Sequence, residues 1–145
     1  MKIKATYFQI LICAAFVCLT ISCSKSGGGG SVTPTPPPTP AEENIVFAID
    51  IDPGSTVYAA LGATQDAKIT LSSKMPTAGI SVDVVVKKDS DNSTVSSASY
   101  SSLTSPLTAS ISNLMPGVLC TATFTVTSKT TTSNSSVKSF KMARK

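Results

Sequence analysis

An all-β fold, a single antiparallel sandwich of about seven strands, is what residues Asn44 to Lys145 predict. Three observations carry that expectation. Apolar and polar residues alternate at a period of two in run after run, as strands with one buried face do. Clusters such as Asp52-Pro53-Gly54, Asp89-Ser90-Asp91-Asn92 and Met115-Pro116-Gly117 punctuate those runs with turn chemistry. The segment has about 100 residues, enough for one modest core, and we find no helical period in it.

The elements follow in order. Ile45, Phe47, Ile49 and Ile51 alternate with Val46, Ala48 and Asp50, and Asp52 to Ser55 closes that strand as a turn. Val57 to Leu61 reads as a short continuation or an edge strand. Ala67, Ile69 and Leu71 share one face of the next strand, which Lys74 to Gly79 interrupts. The clearest alternation is Ile80, Val82, Val84 and Val86 against Ser81, Asp83, Val85 and Lys87. Val95 to Leu103 is rich in Ser, whose hydroxyls compete for backbone partners, and reads as a weak edge strand. Leu107, Ala109 and Ile111 form another face. Val118, Cys120, Ala122, Phe124 and Val126 then alternate with Thr121, Thr123, Thr125 and Thr127, and Val137 to Met142 makes the last strand, with Phe140 and Met142 inward.

Residues 1–43 have a different character. Lys2 and Lys4 supply a positive start, and Ile10 to Ile21 is almost wholly apolar. That length suits a secretory signal and falls short of the roughly 20 residues a membrane span needs. Leu19-Thr20-Ile21-Ser22-Cys23 resembles the lipobox of bacterial lipoproteins, with Thr20 where the family prefers Leu. The resemblance implies cleavage after residue 22 and lipidation of Cys23. Two or three acyl chains would hold the protein on its membrane, because each buried CH₂ contributes about 0.8 kcal/mol. Ser24, rather than Asp, follows the Cys, which in that family favours the outer membrane, with periplasmic and surface faces both compatible. Residues 23–43 then form a linker: Gly27 to Gly30 is coil-forming, and the Pro/Thr run from Thr33 to Pro40 is extended. Its reach is on the order of 40 Å.

A second resemblance sits in the strand region. Ile111-Ser112-Asn113-Leu114-Met115-Pro116-Gly117-Val118-Leu119-Cys120-Thr121-Ala122 resembles the Leu-x-Pro-Gly-x-x-Tyr stretch between strands E and F of fibronectin type III domains. This implies an immunoglobulin-like sandwich over residues 44–145. Cys120 stands where that family places its corner Tyr, and the chain has no Trp for the usual buried indole.

Composition narrows the chemistry. The net charge of +4 falls to +2 once Lys2 and Lys4 leave with the signal, too little for a nucleic-acid footprint. Cys13 and Cys18 leave too, and Cys23 is lipidated, so Cys120 has no disulfide partner; in phase with the inward residues, it reads as core. With no His in the chain, Ser-His-Asp and Cys-His catalysis are excluded. Asp50-x-Asp52 and Asp89-x-Asp91 evoke a calcium loop, but neither carries the Gly and Glu an EF-hand requires, so both read as turn formers. No cofactor or metal is expected.

The expected role is therefore non-catalytic: a lipid-anchored adhesion, spacer or accessory protein-binding module of the cell envelope. Its interaction loops would centre on Asp89, Asp91 and Asn92 and on Thr130, Thr132 and Asn134, because sandwiches gather variable loops at their ends. The alternative is a carbohydrate-binding component of an outer-membrane glycan-capture assembly, using Tyr58 and Tyr100 as sugar-stacking aromatics.

Overall fold

The computed structural model describes residues 41–145, so the signal, Cys23 and nearly all of the linker lie outside the described residues. Eight strands make up the described chain: β1 (Phe47–Ile49), β2 (Val57–Ala60), β3 (Gln65–Leu71), β4 (Ile80–Lys88), β5 (Thr94–Ser102), β6 (Leu107–Ile111), β7 (Leu119–Ser128) and β8 (Ser135–Arg144). They form a three-stranded sheet ordered β1-β3-β6 and a five-stranded sheet ordered β2-β8-β7-β4-β5. The result is an all-β, two-sheet arrangement of sandwich type. Among the described residues no helix is long and apolar enough to cross a membrane.

Alternation chooses the buried face. Ile80, Val82, Val84 and Val86 of β4 lie in register with Ser128, Val126, Phe124 and Ala122 of β7, and all are buried. From the other sheet Phe47, Ile69, Ala109 and Ile111 complete the core. Phe124 stacks on Phe140 with ring centroids 5.8 Å apart, so the two largest faces of β7 and β8 meet in the middle. Cys120 is 1% exposed, and burial pushes its thiol above the ordinary value.

Two expectations about the strands require correction. The N-terminal run makes two strands in different sheets, which raises the count to eight. β2 also pairs parallel to β8, so the arrangement is not wholly antiparallel. The cause is the turn at Asp52 to Thr56, where the Asp52 carboxylate accepts the Gly54 N–H at 3.0 Å and Gly54 adopts φ +67°. The chain crosses there from one sheet to the other without reversing.

The Ser-rich segment is indeed an edge strand, but β5 is nine residues long and paired to β4 throughout, with one bulge at Val95. Its inward hydroxyls bind the other sheet. Tyr100 Oη donates to the Ser110 carbonyl at 3.0 Å and accepts the Ser110 N–H at 2.9 Å, and Ser96 Oγ accepts the Ser112 N–H at 3.2 Å. These bonds occupy backbone groups on the outer edge of β6 that would otherwise be open to another strand. Gly79, at φ +79°, lets the chain enter β4 against β5: a Cβ there would lie 2.3 Å from the Ser102 carbonyl oxygen.

Candidate functional site

β4 and β7 run in opposite directions across the whole sheet, Ile80 opposite Ser128 and Lys88 opposite Cys120. The β7–β8 and β4–β5 loops therefore lie at opposite poles, roughly 30 Å apart at 3.3 Å per residue. Asp89, Asp91 and Asn92 fall at one pole, Thr130, Thr132 and Asn134 at the other. The six residues expected to form interaction loops do not make one site.

The second group lies where the chain enters the sandwich. Asn134 Nδ2 donates to Glu42 Oε1 at 2.7 Å and to the Glu43 carbonyl at 2.8 Å, while its Oδ1 accepts the Ile45 N–H at 3.0 Å. Asn134 thus pins the entering chain and has no amide group left over. Thr130 Oγ1 accepts the Ala78 N–H at 2.9 Å, and buried Ser128 Oγ accepts the Thr130 and Thr131 N–H groups at 3.0 Å. Thr132 is exposed. This pole is built for attachment of the chain.

The opposite pole carries a depression of about 390 Å³ on the outer face of the five-stranded sheet, lined by Val85, Lys87, Lys88, Asp89, Asn92, Thr121 and Thr123. Strand pairing assembles it. Lys87, Thr121 and Lys141 form one rank across β4, β7 and β8, and Val85, Thr123 and Ser139 form the next. Asp91 shapes the turn beside them by accepting the Ser93 N–H at 2.9 Å, and Asn92 takes φ +58°.

A closed triangle of polar bonds forms one wall. Lys141 Nζ donates to Asp89 Oδ2 at 2.5 Å and to Thr121 Oγ1 at 2.8 Å, and Thr121 Oγ1 donates to Asp89 Oδ1 at 2.6 Å. Those bonds, from Lys141 first and then Thr121, hold the Asp89 carboxyl below its ordinary range. Asp89 and Lys141 neutralise each other, the one ion pair among the described residues. Lys87 and Lys88 are then the charged groups of the lining without an ion-pair partner, over a floor of Val85 and Thr methyls. Such a surface suits a group with an acidic end and an apolar flank.

Neither tyrosine reaches this face. Tyr58 and Tyr100 both pack against the core, and the Tyr100 hydroxyl is committed to Ser110. Asp89 and Asn92 are the expected residues that line the depression; Lys87, Lys88, Thr121, Thr123 and Lys141 were not singled out as a site. Their outward phase was readable, but their convergence depends on pairing between strands far apart in sequence.

The fold and site define a class, a β-sandwich with a cationic, hydroxyl-lined depression at one pole. No family model, curated protein or solved structure matches this chain.

Proposed function

We propose that this chain is a lipid-anchored protein of the cell envelope, fibronectin type III-like in fold, that acts without catalysis as a binding module for an envelope protein. Support for the fold type comes from strand order. β3 and β6 take the places of strands B and E, β4, β7 and β8 those of C, F and G, and Leu114-Met115-Pro116-Gly117 joins β6 to β7. β5 sits beside β4, as a C′ strand does. Support for the anchor comes from the apolar leader, Cys23 and the linker.

The observation that carries the binding role is the opposition of the two poles. The chain enters the sandwich at Glu42 and Glu43, and the Lys87 and Lys88 depression lies at the far end of the sandwich from that entry, clear of the tether's attachment point. The triangle at Asp89 supports the non-catalytic reading of this depression. The Lys141 ammonium donates to the Thr121 oxygen and is ion-paired, so it does not act as a base toward that hydroxyl. A partner with an exposed acidic segment fits the two free lysines.

Photo-crosslinking in intact cells tests this reading. A photoreactive residue at Asn92 should capture a discrete partner, and Lys87→Glu with Lys88→Glu should abolish capture. The same residue at Asp66, on the other sheet, should capture nothing discrete. Capture equal at both positions, or unaffected by charge reversal, would refute the proposed surface.

A further inference from the structure

We propose that β5 is a self-pairing edge through which two copies of this chain join their five-stranded sheets antiparallel, with Ser99 on the twofold axis. The hydrogen-bond directions around β4 establish which groups are open. Lys88 donates to the Ser93 carbonyl and accepts from Asn92 N–H, so its amide faces β5, whereas Asp89 N–H goes to the Leu119 carbonyl on the β7 side. Alternation along β4 then turns Val86, Val84 and Val82 toward β5, opposite Ser96, Ala98 and Tyr100. The N–H and C=O groups of Ser97, Ser99 and Ser101 point the other way, off the edge of the sheet.

Beyond the bulge at Val95, from Ser96 to Ser102, this edge lacks the usual protections. β5 reads Thr-Val-Ser-Ser-Ala-Ser-Tyr-Ser-Ser, with no Lys, no Pro and no inward charge. The contrast with β6, whose Ser110 and Ser112 groups are covered by Tyr100 and Ser96, lies within the same side of the sandwich.

A second copy is the occupant the strand fits. An axis through Ser99 places Ser99 opposite Ser99 and Ser97 opposite Ser101, so every outward backbone pair is used. Each such pair exchanges two bonds, about six in all. The facing residues Ser97, Ser99 and Ser101 carry hydroxyls only, the Ser99 hydroxyl donating to Asp83 of its own copy, and no like charges sit directly opposite across the axis. A contact limited to one strand and its flanks belongs with the small, weak interfaces, so pairing in the micromolar range is expected.

The test is sedimentation equilibrium of the full mature chain in detergent across the micromolar range. Wild type should give a monomer–dimer equilibrium. Ser99→Pro, which removes the central N–H, and Ser99→Lys, which sets two cations face to face, should each weaken it at least tenfold, with circular dichroism showing the fold retained. Because Ser99 opposes itself at about 5.5 Å, within disulfide reach, Ser99→Cys should oxidise to a covalent dimer much faster than Ser97→Cys. A wild type that stays monomeric would overturn the proposal. So would a dimer indifferent to both Ser99 substitutions, equal oxidation of the two cysteine variants, or β5 occupied instead by a strand of another protein.

Discussion

Tyr100→Phe removes one oxygen and leaves the ring in place, which isolates the tie between the sheets. That oxygen both donates to and accepts from Ser110, at 3.0 and 2.9 Å, and so satisfies the N–H and C=O on the outer edge of β6. Each bond is worth about 0.5–1.5 kcal/mol net, and an unsatisfied buried partner raises the cost. The site is half-buried, so water recovers part of the loss, and about 2 kcal/mol is expected. Urea unfolding should show the midpoint falling with the slope unchanged, because the surface exposed on unfolding is the same. In thermal unfolding the same loss amounts to about 8–16 °C. Tyr58→Phe is the control: its hydroxyl has no hydrogen-bond partner among the described residues, and a change within about 0.5 kcal/mol is expected. A Tyr100→Phe loss no greater than that control would refute the claim that this hydroxyl joins the sheets.

Three further outcomes follow from the geometry. The Asp89 carboxyl is held below its ordinary value of 3.8, so its contribution is complete above that value and disappears as pH falls through the lowered one. The stability difference between wild type and Asp89→Asn should therefore be constant at neutral pH and shrink only in strongly acidic buffer, as read by urea titrations at several pH values. The Cys120 thiol, 1% exposed and shifted upward, should resist an alkylating reagent in the native protein and react fully in denaturant, followed by mass spectrometry. Gly79→Ala requires a side chain at φ +79° and 2.3 Å from the Ser102 carbonyl, so a loss of more than about 1 kcal/mol is expected in urea unfolding.

The sandwich was legible because its strands keep a strict period of two: Val82, Val84 and Val86 face inward, as the sequence pattern demands, and so do Cys120, Ala122, Phe124 and Val126. Turn chemistry was local and also readable, as at Asp52-Pro53-Gly54. The parallel β2–β8 pair was not, because nothing in Val57 to Ala60 specifies a neighbour more than eighty residues away. The same limit hid the depression. Asp89, Thr121 and Lys141 come from three separate parts of the chain, and only the register of β7 against both β4 and β8 brings them together. Tyr100 shows a different limit. It was a candidate sugar-stacking aromatic, yet it lies on the inward face opposite Val82, and its hydroxyl finds the backbone of the facing sheet.

Intact-mass analysis of the protein extracted from native membranes bears most directly on the central claim, a sandwich tethered to the envelope through Cys23. The predicted result is a chain beginning at Cys23 whose excess mass corresponds to a diacylglyceryl group with or without a further acyl chain, and whose lipid is lost in Cys23→Ala. A water-soluble product of unmodified mass, or a chain retaining Met1, would contradict it.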